Sequence, residues 1–325
     1  MNRISITEME QVLCNEYGNT GGILVQKDGH LIYEKYLNGC NQNSYFHIFS
    51  VTKSIISLLF GIATDKGFLQ GIDQKILNFF PEYRVKGDKT VLQKITIRDM
   101  LTMTVPYQYE TEPMEEYFGS DDWVRAALDL MGGSGQIGEF RYAPLIGPDI
   151  LSAILKRVTG ESVFNFAAEN LFAPLGIHVD GNVVFQNKEE QLAWYGRKDT
   201  QGWVASRQGV NTAGWGLSLT TLDMGRIGQL CINKGMWNGR QIVSKPWMEE
   251  STRAQSYCTQ WNLSYGYLWW VLDDREHIYA AMGDGGNIIY INEGKKLTVA
   301  ISALWEPAAK DRIELIRSYV EPLFV

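Results

Sequence analysis

The chain has 325 residues, of which 45% are hydrophobic and 21% charged, and its formal net charge is −7. This composition suits an ordinary globular chain with a substantial core, built as one large unit or as two closely packed lobes. An acidic balance with no basic stripe argues against nucleic acid as a partner. The longest apolar run, around Ile55 to Ala63, is well short of the roughly 20 residues that span a bilayer.

In chain order, residues 1–10 lack the apolar stretch and small-residue cleavage site of a secretory signal, which predicts a cytoplasmic protein. Residues 22–26 and 30–36, separated by Lys27-Asp28-Gly29, predict a β-hairpin. Ser50-Val51-Thr52-Lys53 then opens a segment that is apolar on nearly every side, so the helix it predicts is buried. Further helices are predicted over 123–131, 148–158, 163–171 and 221–232, the last with Asp223 in a first turn that favours a carboxylate. Residues 278–282, 287–291 and 297–304 predict strands, with a turn at Glu293-Gly294 between the last two, and 310–320 a closing amphipathic helix. The expected fold is α+β: an antiparallel sheet from both termini, flanked by helices, carrying a mostly helical middle lobe. The division expected is 1–75 with 205–325 as an α/β lobe and 76–204 as the helical lobe, sharing a cleft.

Cys14, Cys40, Cys231 and Cys258 are scattered, and His30, His47, His178 and His277 make no metal-binding spacing. Free buried thiols in a reducing compartment are expected, with no metal and no cofactor.

The chemistry centres on Ser50 and Lys53. Three residues apart, they lie on one helical face, so the amine can take the hydroxyl's proton. A buried lysine is costly unless partnered or deprotonated, and a desolvated lysine of lowered pKa can serve as a base. The bland alternative is that Ser50 is an ordinary N-cap and Lys53 is solvated. Met282-Gly283-Asp284-Gly285-Gly286-Asn287 lets a backbone come close to a substrate, or is simply a glycine-rich turn.

Together these residues resemble the β-lactamase-related serine hydrolases: class C β-lactamases, penicillin-binding proteins and their esterase and amidase relatives. The similarity continues in order through Thr96-Ile97-Arg98-Asp99-Met100-Leu101-Thr102-Met103-Thr104, Phe140-Arg141-Tyr142, Ala213-Gly214-Trp215-Gly216 and Tyr265-Gly266-Tyr267-Leu268-Trp269-Trp270. The resemblance implies that Ser50 attacks a carbonyl while Lys53 and Tyr142 move its proton, the cation lowering the phenol's pKa. It also implies that Asp284-Gly285-Gly286 replaces Lys-Thr-Gly, with Asn287 and Ser50 supplying the oxyanion donors. Two departures stand out. Asp284 would repel the carboxylate of a penicillin, and Pro144 removes the amide of Tyr-X-Asn.

The expected function is hydrolysis of a small ester or amide through an acyl-enzyme on Ser50. A binding or regulatory protein on the same scaffold is the alternative, and a DD-peptidase or β-lactamase the third reading. Trp203, Trp215, Trp269 and Trp270 fall in segments that flank such a cleft, or in the core. The acidic stretch from Glu110 to Asp122 either overhangs the cleft or is a solvated loop. Oligomeric state is left open.

Overall fold

A computed structural model describes residues 4–85, 90–133, 135–195 and 197–325. Its centre is an eight-stranded antiparallel sheet built from both ends of the described chain. The strands are β1 (Thr20–Lys27), β2 (His30–Tyr36), β3 (Ser256–Cys258), β4 (Leu263–Tyr265), β5 (Trp270–Asp273), β6 (Ile278–Gly283), β7 (Asn287–Asn292) and β8 (Leu297–Ala303), in spatial order β2-β1-β8-β7-β6-β5-β4-β3. The predicted hairpin is β1–β2; its turn residues, Asp28 and Gly29, have φ of 51° and 82°, the left-handed pair a two-residue turn needs.

Period-two alternation divides the sheet between two cores. Ile23, Val25, Ile288, Tyr290, Val299 and Ile301 meet Met9 and Leu13 of the first helix and Leu315, Ile316 and Val320 near the C-terminus. Leu24, Ile289, Ile291 and Ala300 face the other way, toward the helices Val51–Asp65 and Thr221–Ile232. The Val51–Asp65 helix is buried at every residue from Val51 to Ala63, as its all-round apolarity predicts. In the Thr221–Ile232 helix, Asp223 does more than meet the dipole: it forms a capping box with Thr220.

Two expected helices are corrected. The closing helix begins at Arg312, where Asp311 caps it, and continues past 320 through a π turn to Phe324. The helix starting at Val163 likewise passes into a π turn at Ala168–Phe172. Cys231 and Cys258 are buried and free as expected, but Cys14 is exposed and Cys40 half-buried, because they lie near the chain's outer edge. Among the described residues no helix is long and apolar enough to cross a membrane.

Candidate active site

Ser50 is held where a strand turns into a helix. The short strand Tyr45–His47 pairs with Ser218–Thr220, and Ile48 N–H continues that pairing to Leu217 O at 3.0 Å. Phe49 then takes φ 47°, a left-handed conformation costly for a bulky residue. This reversal delivers Ser50 to the N-terminus of the helix Val51–Asp65, with helical backbone angles and no capping bond from its side chain. The N-cap alternative is thereby set aside: the hydroxyl is directed at Lys53 and the cleft.

Lys53 is 1% exposed and its Nζ has three partners: Pro144 O at 2.7 Å, Ser50 Oγ at 2.8 Å and Gly214 O at 2.9 Å. The two carbonyls pin two N–H bonds, so the third direction of the amine points at Ser50. Burial pushes the Lys53 pKa down to about 7, against the pull of negative Glu112, Asp284 and Asp149. Pro144, where the family's asparagine would stand, thus still contacts the amine, through its carbonyl rather than a side-chain amide. Gly214 makes this geometry feasible, since a Cβ there would lie 2.3 Å from Pro144 O.

Two carboxylates stand behind this triangle. Asp149 accepts from Ala213 N–H at 2.7 Å and from the Tyr117 hydroxyl at 2.7 Å, so it anchors the residue before Gly214. Burial raises its pKa to about 7. Glu112 accepts from Ile146 N–H at 3.1 Å and Leu145 N–H at 3.2 Å, so it anchors the residues just after Pro144. Burial raises its pKa as well. In sequence Glu112 is one member of an acidic stretch; the fold separates it from the rest and brings it to the back of the site. Its charge opposes the lowering of the Lys53 pKa, so Glu112→Gln is expected to move the acid limb of kcat/KM down by about one pH unit. A pH–rate profile of the variant, with no displacement of that limb, would remove this role.

Tyr142 faces Ser50 from the other side, its ring centroid 5.2 Å from Lys53 Nζ. The expectation of a phenol acidified by the cation is overturned. Burial dominates and raises the Tyr142 pKa above the ordinary phenol value, with only the Ser50 hydroxyl pulling it down. His47 is a buried neutral histidine, its pKa pushed down to about 3, whose Nε2 accepts from Gly216 N–H at 2.9 Å.

On the sheet side, the closest backbone to the helix start is Gly283 at the end of β6. A Cβ there would sit 2.3 Å from Ile48 O and 3.1 Å from Ser50 N. Asp284 follows, exposed, opening the turn Asp284–Gly286 in which Gly285 and Gly286 have φ of 76° and 93°. Asn287 follows the turn at the start of β7. Its side chain is 1% exposed, accepts from Ala303 N–H at 3.1 Å and donates to Asp284 O at 2.8 Å, so it ties the turn to β8.

Two cavities meet at Ser50. One, of about 790 Å³, runs under Phe49, Phe118, Leu145, Tyr195 and Trp215. The other, of about 630 Å³, runs under Tyr142, Trp261, Trp270 and Met282. Ser50, Asp284 and Trp305 border both. Trp203 and Trp269 are core, whereas Trp215 and Trp270 line the cleft. Glu115 and Asp121 of the acidic stretch do overhang the larger cavity, but they are paired there with Lys188 at 2.7 Å and Arg207 at 3.6 Å.

A family model described as Beta-lactamase matches residues 10–321, nearly the whole chain. The chain belongs to the beta-lactamase family. Among its relatives in that family, the 6-aminohexanoate-dimer hydrolase of Paenarthrobacter ureafaciens is 21% identical over 321 residues, covering 92% of this chain and 76% of the relative. A solved octameric penicillin-binding protein homologue from Pyrococcus abyssi superposes with a TM-score of 0.70 at 20% identity, over 96% of this chain and 76% of that one. A solved family VIII carboxylesterase gives a TM-score of 0.71 at 14% identity, over 99% of each chain. These likenesses agree with the family match and establish the beta-lactamase fold.

Proposed function

We propose that the protein is a serine hydrolase that cleaves a small ester or amide through an acyl-enzyme on Ser50. The observation that carries this reading is the Lys53 amine. Two carbonyls hold its N–H bonds, and the remaining direction meets Ser50 Oγ at 2.8 Å. With a pKa near 7, a large fraction of the amine is neutral at physiological pH, and its lone pair then lies on the Ser50 O–H.

Attack by Ser50 Oγ forms the C–O bond as its proton passes to Lys53 Nζ, and the carbonyl π pair moves to oxygen. The N–H groups of Ser50 and Asp284, brought together by the approach of Gly283, are the donors for that oxyanion. Collapse breaks the bond to the leaving group, which takes the proton from Lys53 through the neutral Tyr142 phenol. Water then repeats the sequence on the acyl-enzyme and restores Ser50. Gly285, Gly286 and Asn287 shape the turn rather than touch the carbonyl. The exposed Asp284 carboxylate disfavours penicillins and peptidyl carboxylates, which places antibiotic hydrolysis and DD-peptidase work behind a plain esterase or amidase. The four unpaired cysteines suit a cytoplasmic setting.

Fluorophosphonate treatment with intact-mass readout, beside short-chain nitrophenyl esters, tests the reading. One adduct and measurable turnover are expected, both lost in Ser50→Ala. A folded protein with neither adduct nor turnover would turn the assignment toward a binding protein on this scaffold.

A further inference from the structure

The two cavities that meet at Ser50 share Asp284 and Trp305 and differ in the rest of their lining. In the larger one Glu115 is matched with Lys188 and Asp121 with Arg207, away from the shared Asp284 and above a wall of Phe49, Phe118, Leu145 and Trp215. Such a pocket suits an uncharged apolar group. The smaller cavity has aromatic walls with the Asp284 carboxylate at their edge. Trp261 and Trp305 expose 47% and 54% of their surface there, unusual for tryptophan, and Trp270 and Tyr142 complete the lining.

Its cations are engaged elsewhere. Lys310 binds Glu16 and lies 5.0 Å over the Tyr17 ring. Arg312 is 2% exposed, lies 4.9 Å over the same ring, and donates to Asn19 and to Lys310 O. Asp311 is spent on capping Ile313 N–H at 2.9 Å. Glu306 acts on the Arg312 guanidinium, and Asp284 is left, exposed and, among the described residues, in no ion pair. Asp284 borders the cleft beside Ser50, close enough to act on Lys53 and Tyr142.

Direction follows from Tyr142. It borders the smaller cavity and not the larger, and a leaving group must depart beside the group that hands it a proton. We infer that the substrate joins an uncharged apolar acyl group, seated in the larger cavity, to an alcohol or amine bearing an ammonium group, seated against Trp261, Trp305 and Asp284. Aromatic faces with one carboxylate are a recognised way to hold an alkylated ammonium, which is too weakly hydrated to need a full shell of acceptors. This inference rests on the hydrolase reading and names the substrate class of the same site.

The test compares two esters of one acyl chain, such as phenylacetyl, with choline and with its uncharged isostere 3,3-dimethylbutanol. The choline ester is expected to have a kcat/KM about tenfold higher, and the ratio is expected to fall toward one in Asp284→Asn and in Trp305→Ala. Ratios within each protein cancel any general loss of activity in a variant. Equal values for the two esters, or a ratio that neither substitution moves, overturns the ammonium subsite and leaves the hydrolase standing. No turnover of either ester and no fluorophosphonate adduct on Ser50 overturns both.

Discussion

Lys53→Met is expected to lower kcat/KM by about a thousandfold, in the upper part of the range found for loss of an acid–base group. Methionine keeps the stem that fills the space between the helix Val51–Asp65 and the loops at Pro144 and Gly214, so the loss reports on the amine and not on packing. Two carbonyls lose their donor, at a cost of about 1–3 kcal/mol each where no water replaces it, which a thermal melt will register separately. The wild-type profile supplies the companion measurement. Burial lowers the Lys53 pKa to about 7, and the neutral amine is the working form, so kcat/KM should rise with pH through about 7 and level off above it. The residual rate of Lys53→Met should lack that limb. A variant that retains the rise would transfer the titration to another group, of which Asp149, also near 7, is the first to examine.

Gly283→Ala is expected to reduce turnover by about a hundredfold while the protein remains folded. Gly283 has ordinary extended angles, φ −135° and ψ 154°, so alanine suffers no backbone strain there. The difficulty is space. The added carbon would meet Ile48 O at 2.3 Å and the N atoms of Ser50 and Val51 at 3.1 Å, all backbone, and none of them can rotate away. Strand and helix start must part by about 1 Å, and a displacement of that size at a reacting centre costs on the order of a hundredfold. Gly294→Ala is the matched control, because its added carbon would meet nothing nearer than 3.7 Å. Full activity in Gly283→Ala would show that the edge of β6 does not take part in binding the carbonyl oxygen.

What was legible in the sequence was local. The spacing of Ser50 and Lys53 is a helical repeat, and the apolarity of 55–63 announces burial; together they foretell a desolvated amine beside a hydroxyl. Alternating strands and the Asp28-Gly29 turn are likewise short-range signals, and the sheet matches them. The features that escaped are products of long-range approach. Glu112 and Leu145 meet only through the path of a loop, Gly283 differs from its neighbouring glycines in what lies opposite, and Trp261 and Trp305 read as two more large apolar residues. Phe49 carried no signal for its left-handed turn, since bulky residues avoid that conformation. The side-chain bonds of Asn287 to the neighbouring turn and strand are likewise set by the fold and not by its place in the sequence.

The sheet's strand order also governs when this protein becomes competent during its synthesis. β1 and β2 emerge early, yet β1 has no partner on its inner edge until β8 arrives, and β6, the strand that touches the nucleophile's helix, is tied to β8 through β7. Ser50 and Lys53 are thus translated more than two hundred residues before the strands that frame them, and the cleft closes only when the last strand slots between the first and the seventh. A chain terminated before β8 lacks the strand that joins β1 to β7, and such long-range pairing makes folding slow. The proposed activity is in this architecture a late event, open only to chains that have been read through β8.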